Sequence, residues 1–334
     1  MKFIKGVNLG GWFVLERWMS QSLFEGLKTN DETGFVTQHP NPKEALEKHW
    51  ETFIQSSDFK YIKSLGIHSV RIPIPWWLRG EEPYISPLKY IKHALDLASQ
   101  YDLMVMLDLH TAPGSQNGFD NGGIEGVIEW HKDNKNIEKT VDVLSYISKE
   151  LLNHPSVFSI EVLNEPHFLT DLSIIQKFYL DAYKAIRKNS DKQIVFHDAF
   201  RPMDHTWTEF FTKNNLENVG FDLHLYHCFE ERLKNSSPKE HIDEILNVRL
   251  PMIEKLNKMV PVYVGEWSLG IHYPTLNKPA DFNQETFEKE LAQTQLLAYS
   301  KGTGYYFWNY KIEHHMEKHN WDFRSLVKKG ILKP

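Results

Sequence analysis

Cysteine is nearly absent from this chain of 334 residues: Cys228 is the only one, so no disulfide can form within the chain. No stretch approaches the roughly 18 uninterrupted apolar residues of a membrane span. The first residues, Met1 to Gly6, include no apolar segment of the kind that a signal peptide carries. Together these absences predict a soluble protein in the cytoplasm, with no membrane partner.

Basic residues are in the minority. The chain has 38 Lys and Arg against 44 Asp and Glu, for a formal net charge of -6. A nucleic-acid-binding protein normally carries a basic field, so this balance argues against a nucleic-acid partner. No Gly-x-Gly-x-x-Gly motif follows the first predicted strand, which weighs against a dinucleotide-binding fold.

Short apolar runs alternate with longer stretches of helical periodicity, which is typical of repeated βα units. Several runs are apolar without alternation, like parallel strands that are covered on both faces. Strands are predicted over Ile4–Leu9, Ser69–Pro73, Met104–His110, Val157–Asn164, Gln193–His197, Gly220–Tyr226, Pro261–Glu266 and Gly304–Trp308. Helices are predicted over Ala45–Ser64, Pro87–Tyr101, Ile137–Leu152, Leu172–Asn189, Pro238–Lys258 and Phe287–Lys301, with a weak one at Thr206–Thr212. Since no linker interrupts this pattern, we expect one α/β domain, a (β/α)8 TIM barrel over residues 1–334.

Polar or aromatic side chains end most of the predicted strands, and catalytic groups of such barrels gather at the C-terminal ends of the strands. One such residue alone is usually a buried group with a satisfied hydrogen bond. A whole series at the same end of successive strands favours an active site. Two members are carboxylates, Glu165 and Glu266, and the others are Arg71, His110, Asn164, His224, Tyr226 and Trp308.

Two carboxylates on one rim suit the hydrolysis of a glycosidic bond, in which one protonates the leaving oxygen and the other attacks the sugar carbon. The nucleophile must be ionised, and Arg71 is the candidate to hold either Glu165 or Glu266 in that form. The acid must be protonated, which a second carboxylate about 5 Å away favours. Asn164 is predicted to hydrogen-bond the sugar 2-hydroxyl, and Tyr226 is predicted to hydrogen-bond the nucleophile. Trp308 is predicted to form a flat floor under the sugar.

The motifs around these residues resemble glycoside hydrolase family 5, and within it the exo-β-1,3-glucanase branch best known from fungi. The resemblance covers nearly the whole chain. It rests on the blocks Asn164-Glu165-Pro166, Gly265-Glu266-Trp267, Gly6–Trp12 with Glu16, Val70–Pro73, Asp108–His110, His224–Tyr226 and Ala112–Asn121. It implies a retaining β-glycosidase that hydrolyses β-glucosidic bonds of β-1,3-glucan or short β-gluco-oligosaccharides, exo-acting and without a metal or other cofactor.

By this resemblance Glu165 is the acid/base and Glu266 the nucleophile. Glu16 binds hydroxyls of the terminal glucose, unless it is only a solvated loop carboxylate. Phe119 and Phe229 match an aromatic pair that grips the next sugar, although two loop phenylalanines could equally cap the barrel. The subsite for the scissile glucose is lined by Arg71, His110, Asn164, His224, Tyr226 and Trp308.

Some features depart from the fungal pattern and leave linkage and chain length open. The chain lacks the leader and cysteines of the secreted fungal enzymes, and its eighth strand ends in Phe307-Trp308-Asn309-Tyr310-Lys311. The alternatives are an endo-acting β-glucanase, cellulase or mannanase, transglycosylation, and a non-catalytic carbohydrate-binding protein. A metal enzyme is also conceivable from His224/His227 and His314/His315/His319, but adjacent histidines do not easily converge on one ion.

Overall fold

Eight parallel strands form a closed barrel in the order of the sequence, and the last strand pairs with the first. This computed structural model describes residues 3–272, 282–313 and 318–334. The strands are β1 Ile4–Asn8, β2 Ser69–Ile74, β3 Met104–Leu109, β4 Val157–Glu161, β5 Gln193–His197, β6 Val219–His224, β7 Val262–Trp267 and β8 Gly304–Phe307. The predicted TIM barrel is confirmed.

Helices surround the barrel. In the described ranges they are α1 Glu32–Gln38, α2 Pro42–Thr52, α3 Ser56–Ser64, α4 Leu88–Gln100, α5 Asn134–Glu150, α6 Leu172–Arg187, α7 His205–Lys213, α8 Pro238–Glu244, α9 Leu250–Asn257, α10 Gln284–Tyr299 and α11 Phe323–Lys328. The short helices α1 and α11 were not predicted. None of the helices in the described part of the chain is long and apolar enough to cross a membrane.

Three predicted elements differ from the structure for local reasons. The helix predicted over Ala45–Ser64 is two helices, because the Asp58 carboxylate accepts the Gln55 amide and starts α3 afresh. The helix predicted over Pro238–Lys258 contains a π-helical turn at Ile245–Arg249, just before Pro251, which has no N–H to continue the regular pattern. Strand β4 ends at Glu161, so the predicted end at Asn164 lies in a loop.

The barrel has one core inside it and a larger one outside. A small apolar cluster fills part of the interior: Ile4, Met106, Val195, Tyr263 and Tyr306. A much larger cluster lies between the strands and the helices. Because the strands are buried on both faces, their sequences read as apolar runs without alternation. The interior also contains a network of charged residues around Arg71, which supports the site described next.

Candidate active site

The two carboxylates both lie near Nδ1 of His224. Glu266 is within β7, and Glu165 is in the loop after β4 with a φ of 44°, a left-handed conformation that non-glycine residues adopt rarely. His224 Nδ1 lies 2.7 Å from Glu165 Oε1 and 3.5 Å from Glu266 Oε2. These two contacts bound the separation of the two carboxylate oxygens at about 6 Å, below the range typical of inverting glycosidases.

Both carboxylates line a cavity of about 1050 Å³ at the C-terminal end of the strands. Six other predicted site residues line the same cavity: Glu16, Phe119, His224, Tyr226, Phe229 and Trp308. The remaining three, Arg71, His110 and Asn164, are fully buried in the network beneath the cavity. Arg71 donates a hydrogen bond to Asn164, and His110 bonds to Asp108. The structure therefore brings the whole predicted set to one place.

Glu266 is held by two donors. Arg71 Nη1 donates to Oε1 at 2.9 Å, and the Tyr226 hydroxyl donates to Oε2 at 2.8 Å. Burial raises the pKa of Glu266, while His224 and Arg71 oppose that rise. The two hydrogen bonds favour the carboxylate form and fix the direction in which its oxygens point.

Arg71 is the centre of a buried network. Its guanidinium donates to Glu161 Oε2 at 2.9 Å and to Asn164 Oδ1 at 2.8 Å, and it lies 3.1 Å from Asp108 Oδ2. Burial alone would lower the pKa of Arg71, but these carboxylates hold it well above the ordinary value, so the group is charged. Since Arg71 occupies Asn164 Oδ1, the Asn164 amide nitrogen is left as a donor without a partner in the described part of the chain.

Glu165 is hydrogen-bonded to His224 and Asn121. Asn121 Nδ2 donates to Glu165 Oε2 at 3.0 Å, and His224 Nδ1 bonds to Oε1. Burial raises the pKa of Glu165, but the bonds from His224 and Asn121 outweigh it, so the net direction is downward. Burial lowers the pKa of His224, yet Glu266, Asp222 and Glu165 together hold it well above its ordinary value.

These directions are the reverse of those expected for an isolated acid and an isolated nucleophile. The like charge of Glu266 was expected to keep Glu165 protonated, but the imidazolium of His224 is closer and has the opposite sign. The proton is therefore held by the Glu165–His224 pair, with the imidazole favoured. The neutral pair and the ion pair have the same total charge, so the proton can pass along a 2.7 Å hydrogen bond without a change in charge.

Trp308 lines the cavity, and the buried ring of His110 lies beside it. Their rings are parallel, with an interplanar angle of 4° and centroids 5.5 Å apart. His110 Nδ1 donates to Asp108 Oδ2 at 2.5 Å, and its Nε2 has no partner among the residues described. Gly10 is required beneath the indole, because a Cβ there would lie 2.5 Å from the Trp308 ring.

Glu16 forms one wall of the cavity. The indole nitrogen of Trp18 donates to its Oε2 at 2.8 Å, and its Oε1 has no partner within the described ranges. Burial, together with Asp120, raises the pKa of Glu16 well above its ordinary value. A protonated carboxyl of this kind can both donate to and accept from a sugar hydroxyl.

Phe119 and Phe229 are exposed at the mouth of the cavity. Phe229 packs against Tyr226 and Trp321, with ring centroids 5.3 Å and 5.9 Å apart, respectively. Both phenylalanine side chains are accessible, and neither belongs to the apolar clusters of the barrel core.

Several residues of the site were missed in the sequence. His197 ends β5 and Asp198 follows it, so both carry the same strand-end signal as the others, and Asp198 lines the cavity. Asn121 lies in a motif block but had no assigned role. Trp18 and Trp321 come from loops without a motif, and their rings meet with centroids 5.6 Å apart.

Two groups of side chains have metal-ligand chemistry, each with donor atoms within 4.8 Å of one another: Glu165, His197 and His224, and Glu161, Asp222 and His224. In the first group, His197 Nδ1 accepts the Ala199 amide at 2.9 Å, which puts its proton on Nε2. In the second, Glu161 is paired with Arg71 at 2.7 Å. These contacts occupy one atom of each side chain, while His197 Nε2, Glu161 Oε1 and Asp222 Oδ2 have no hydrogen-bond partner in the described part of the chain. His314 and His315 lie outside the described residues, and His319 bonds to Glu288.

Comparison with known proteins gives a consistent assignment. A family model described as Cellulase (glycosyl hydrolase family 5) matches residues 31–314. The "Glucan 1,3-beta-glucosidase" of Blumeria graminis is 33% identical, covering 98% of this chain and 86% of its own length. The "Probable glucan 1,3-beta-glucosidase A" of Emericella nidulans is also 33% identical, covering 98% and 89%.

Solved structures share the fold. The rutinosidase from Aspergillus niger matches with a TM-score of 0.83 at 21% identity, covering 99% of this chain and 98% of that one. An endogalactoceramidase matches with a TM-score of 0.62 at 16% identity, covering 96% and 74%. At these identities the likeness concerns the barrel alone. The family model and the curated relatives, together with the motifs, show that this chain belongs to glycosyl hydrolase family 5.

Proposed function

We propose that this protein is a retaining β-glycosidase that removes single glucose units from β-glucosides by double displacement. The observation that carries the proposal is the pair Glu165 and Glu266. Glu165 Oε1 and Glu266 Oε2 both contact His224 Nδ1, so these two oxygens lie within about 6 Å of each other. This spacing allows direct attack on the sugar carbon by one carboxylate while the other reaches the glycosidic oxygen.

In the first step Glu266 attacks the anomeric carbon. Its oxygen forms a bond to that carbon as the glycosidic C–O bond breaks, and the leaving oxygen takes the proton of the Glu165–His224 pair. Arg71 and Tyr226 aim the carboxylate of Glu266 during the attack. The products of this step are the free aglycone and a glucosyl ester of Glu266.

In the second step water replaces the ester. Esterification removes the charge of Glu266, so Glu165 and Asp222 remain as the carboxylates that act on His224. Glu165 then accepts a proton from water as the water oxygen bonds to the anomeric carbon and Glu266 departs. Two inversions at the same carbon leave the β configuration unchanged, and the pair is reprotonated for the next cycle.

The terminal glucose would lie over Trp308, within reach of His110, Asn164 and Glu16. The unpaired Asn164 amide is suited to the 2-hydroxyl, a contact that strengthens in the transition state. Trp18, Lys318 and Trp321 line the same cavity as Glu16; the two indole rings meet edge to face, and the Lys318 amine lies 5.0 Å from the centre of the Trp18 ring. Exo action requires that these side chains block a second sugar on the non-reducing side, and we assign them this role.

The relatives support the choice of substrate. Curated proteins named glucan 1,3-beta-glucosidase align with 98% of this chain. We therefore propose β-1,3-glucan or short β-gluco-oligosaccharides as the natural substrates.

The test is a screen of β-1,3-, β-1,4- and β-1,6-linked glucosides and laminari-oligosaccharides, with product lengths recorded over time. Glu266→Gln serves as the blank for contaminating activity. We expect glucose as the first product from laminaritriose, with β-1,3 bonds cleaved fastest. Early release of oligosaccharides from long chains would instead indicate an endo-acting enzyme, and no release from any glucoside would contradict the proposal.

A further inference from the structure

We propose that the leaving-group side of the cavity is an aglycone site for apolar groups, so that the enzyme prefers β-glucosides of aromatic or alkyl alcohols over those with a small polar aglycone. The site is formed by Phe168 and Phe200, called here the apolar wall. This inference rests on the proposed function, because it assigns a substrate class to the same cavity.

The position of the apolar wall follows from the role of Glu165. The group that protonates the leaving oxygen must lie between the sugar and the aglycone, so the side chains outside it contact the aglycone. Phe168 is in the same loop as Glu165, and Phe200 is in the next loop, after β5. Both rings line the cavity.

The apolar wall is unusually exposed for its chemistry. Phe168 is 50% exposed and Phe200 36%, and next to them in the chain Leu169 is 77% and Met203 49% exposed. Large apolar side chains that gather at the mouth of a cavity indicate a binding surface. The Phe168 ring stacks on His167 with centroids 4.4 Å apart, and the His167 ring lies 6.3 Å from that of Phe119.

The backbone that presents Phe200 is strained. Ala199 and Phe200 have φ angles of 50° and 58°, and two successive non-glycine residues in the left-handed region are costly unless their surroundings fix them. Here Arg201 Nη2 donates to the Thr170 carbonyl at 2.8 Å, joining the two loops, and Trp207 Nε1 donates to the Arg201 carbonyl at 3.0 Å. The apolar wall is thus held in place before any ligand arrives.

The polar groups near the apolar wall are few. Next to Phe200 in the chain, Asp198 and Pro202 also line the cavity, and the Asp198 carboxyl accepts the Phe200 amide at 2.8 Å. The Arg201 guanidinium donates hydrogen bonds to the backbone carbonyls of Ala199 and Thr170. The lining residues that follow Phe229 in the chain include the charged residues Glu230, Arg232, Glu244 and Arg249, together with Val248 and Met252.

A sugar ring requires donors and acceptors around its edge as well as a flat face. Among the described residues, the apolar wall supplies two flat faces and a single carboxyl. An aromatic or alkyl aglycone fits this chemistry better than a second glucose does. Phe119 and Phe229, with the charged groups nearby, remain the place for a second sugar.

The test compares n-octyl with methyl β-glucoside, since both release an alkoxide of similar reactivity and differ in apolar length. Octyl glucoside is used below its micelle-forming concentration. We expect wild-type kcat/KM for the octyl compound to exceed that for the methyl compound by about tenfold or more. This ratio is much smaller than the one expected if all the extra methylene groups were fully buried. In the double variant Phe168→Ser/Phe200→Ser the ratio should fall to about one.

Leu297→Ser is the matched control, because Leu297 is an exposed apolar residue of α10 outside the cavity lining. It should leave the octyl-to-methyl ratio unchanged. A wild-type ratio near one, or a ratio that survives the double substitution, would overturn the proposal.

A second measurement separates this proposal from the proposed function. Glu266→Gln should bind octyl glucoside more tightly than methyl glucoside, and the added Phe168→Ser/Phe200→Ser changes should abolish the difference. If this binding difference appears while the wild type cleaves no glucoside, the apolar wall stands and the proposed function fails. If laminaribiose is cleaved but neither binding nor cleavage favours the octyl group, the apolar wall fails alone.

Discussion

Replacing Tyr226 with Phe should move the acidic limb of the kcat/KM profile to higher pH. The Tyr226 hydroxyl donates to Glu266 Oε2 at 2.8 Å, and both groups are buried. This donor stabilises the carboxylate relative to the protonated acid, so its loss raises the pKa of Glu266. Because Glu266 attacks only when ionised, the variant loses activity first at acidic pH.

The size of the shift follows from the hydrogen bond. A buried bond to a charged group contributes about 1.5–3 kcal/mol, and one pKa unit corresponds to about 1.4 kcal/mol. The limb should therefore move by about one to two pH units. Burial already raises the pKa of Glu266, so the shift brings the limb toward neutral pH. Arg71 still donates to the other oxygen, so activity at higher pH should fall much less than in Glu266→Gln.

The assay is kcat/KM for a chromogenic β-glucoside, measured from acidic to neutral pH. Tyr305→Phe is the control, because the Tyr305 hydroxyl is buried but makes no hydrogen bond within the described residues. It should leave the limb in place. An unmoved limb in Tyr226→Phe would refute the assignment of this limb to Glu266.

Three further outcomes are expected. Glu165→Ala should reduce cleavage of laminaribiose by about 10²–10⁴-fold but that of nitrophenyl glucosides far less, since a good leaving group needs little protonation; equal losses would show that Glu165 is not the acid. Burial raises the pKa of Glu32 to about 8 in the folded protein. At a pH between the pKa of the unfolded chain and 8, the folded protein keeps a proton that the unfolded chain releases. The stability of the fold therefore falls as the pH rises through this range. The thermal midpoint of Glu32→Gln should therefore gain on the wild type from about pH 5 to about pH 8, and a constant difference would contradict the shift. EDTA should leave activity unchanged, whereas loss that zinc restores would reveal a catalytic metal.

The strands of the barrel could be predicted because each is a short apolar run between polar segments, as in Val262–Trp267. The end of β4 could not, because Val162 and Leu163 continue the apolar run after strand pairing has stopped. The turn that follows depends on the left-handed conformation of Glu165, which no hydrophobic pattern encodes. The structure also explains why position 265 is glycine, since a Cβ there would lie 1.9 Å from Asp222 Oδ2.

The position of the candidate site could be predicted, but its electrostatics could not. Residues at strand ends share a signal that is visible in the sequence, whereas Trp18 and Trp321 meet only because distant loops converge. The 2.7 Å hydrogen bond between Glu165 and His224 joins the loop after β4 to the end of β6, and these segments are far apart in the chain. Like charge was the only effect that the sequence offered for the pKa of Glu165.

The configuration of the first product tests the double displacement most directly. Proton NMR immediately after the enzyme is mixed with a β-glucoside distinguishes the anomers of the released glucose before they equilibrate. Attack by Glu266 followed by attack of water predicts β-glucose. Initial release of α-glucose would show a single displacement and would contradict the role given to the two carboxylates.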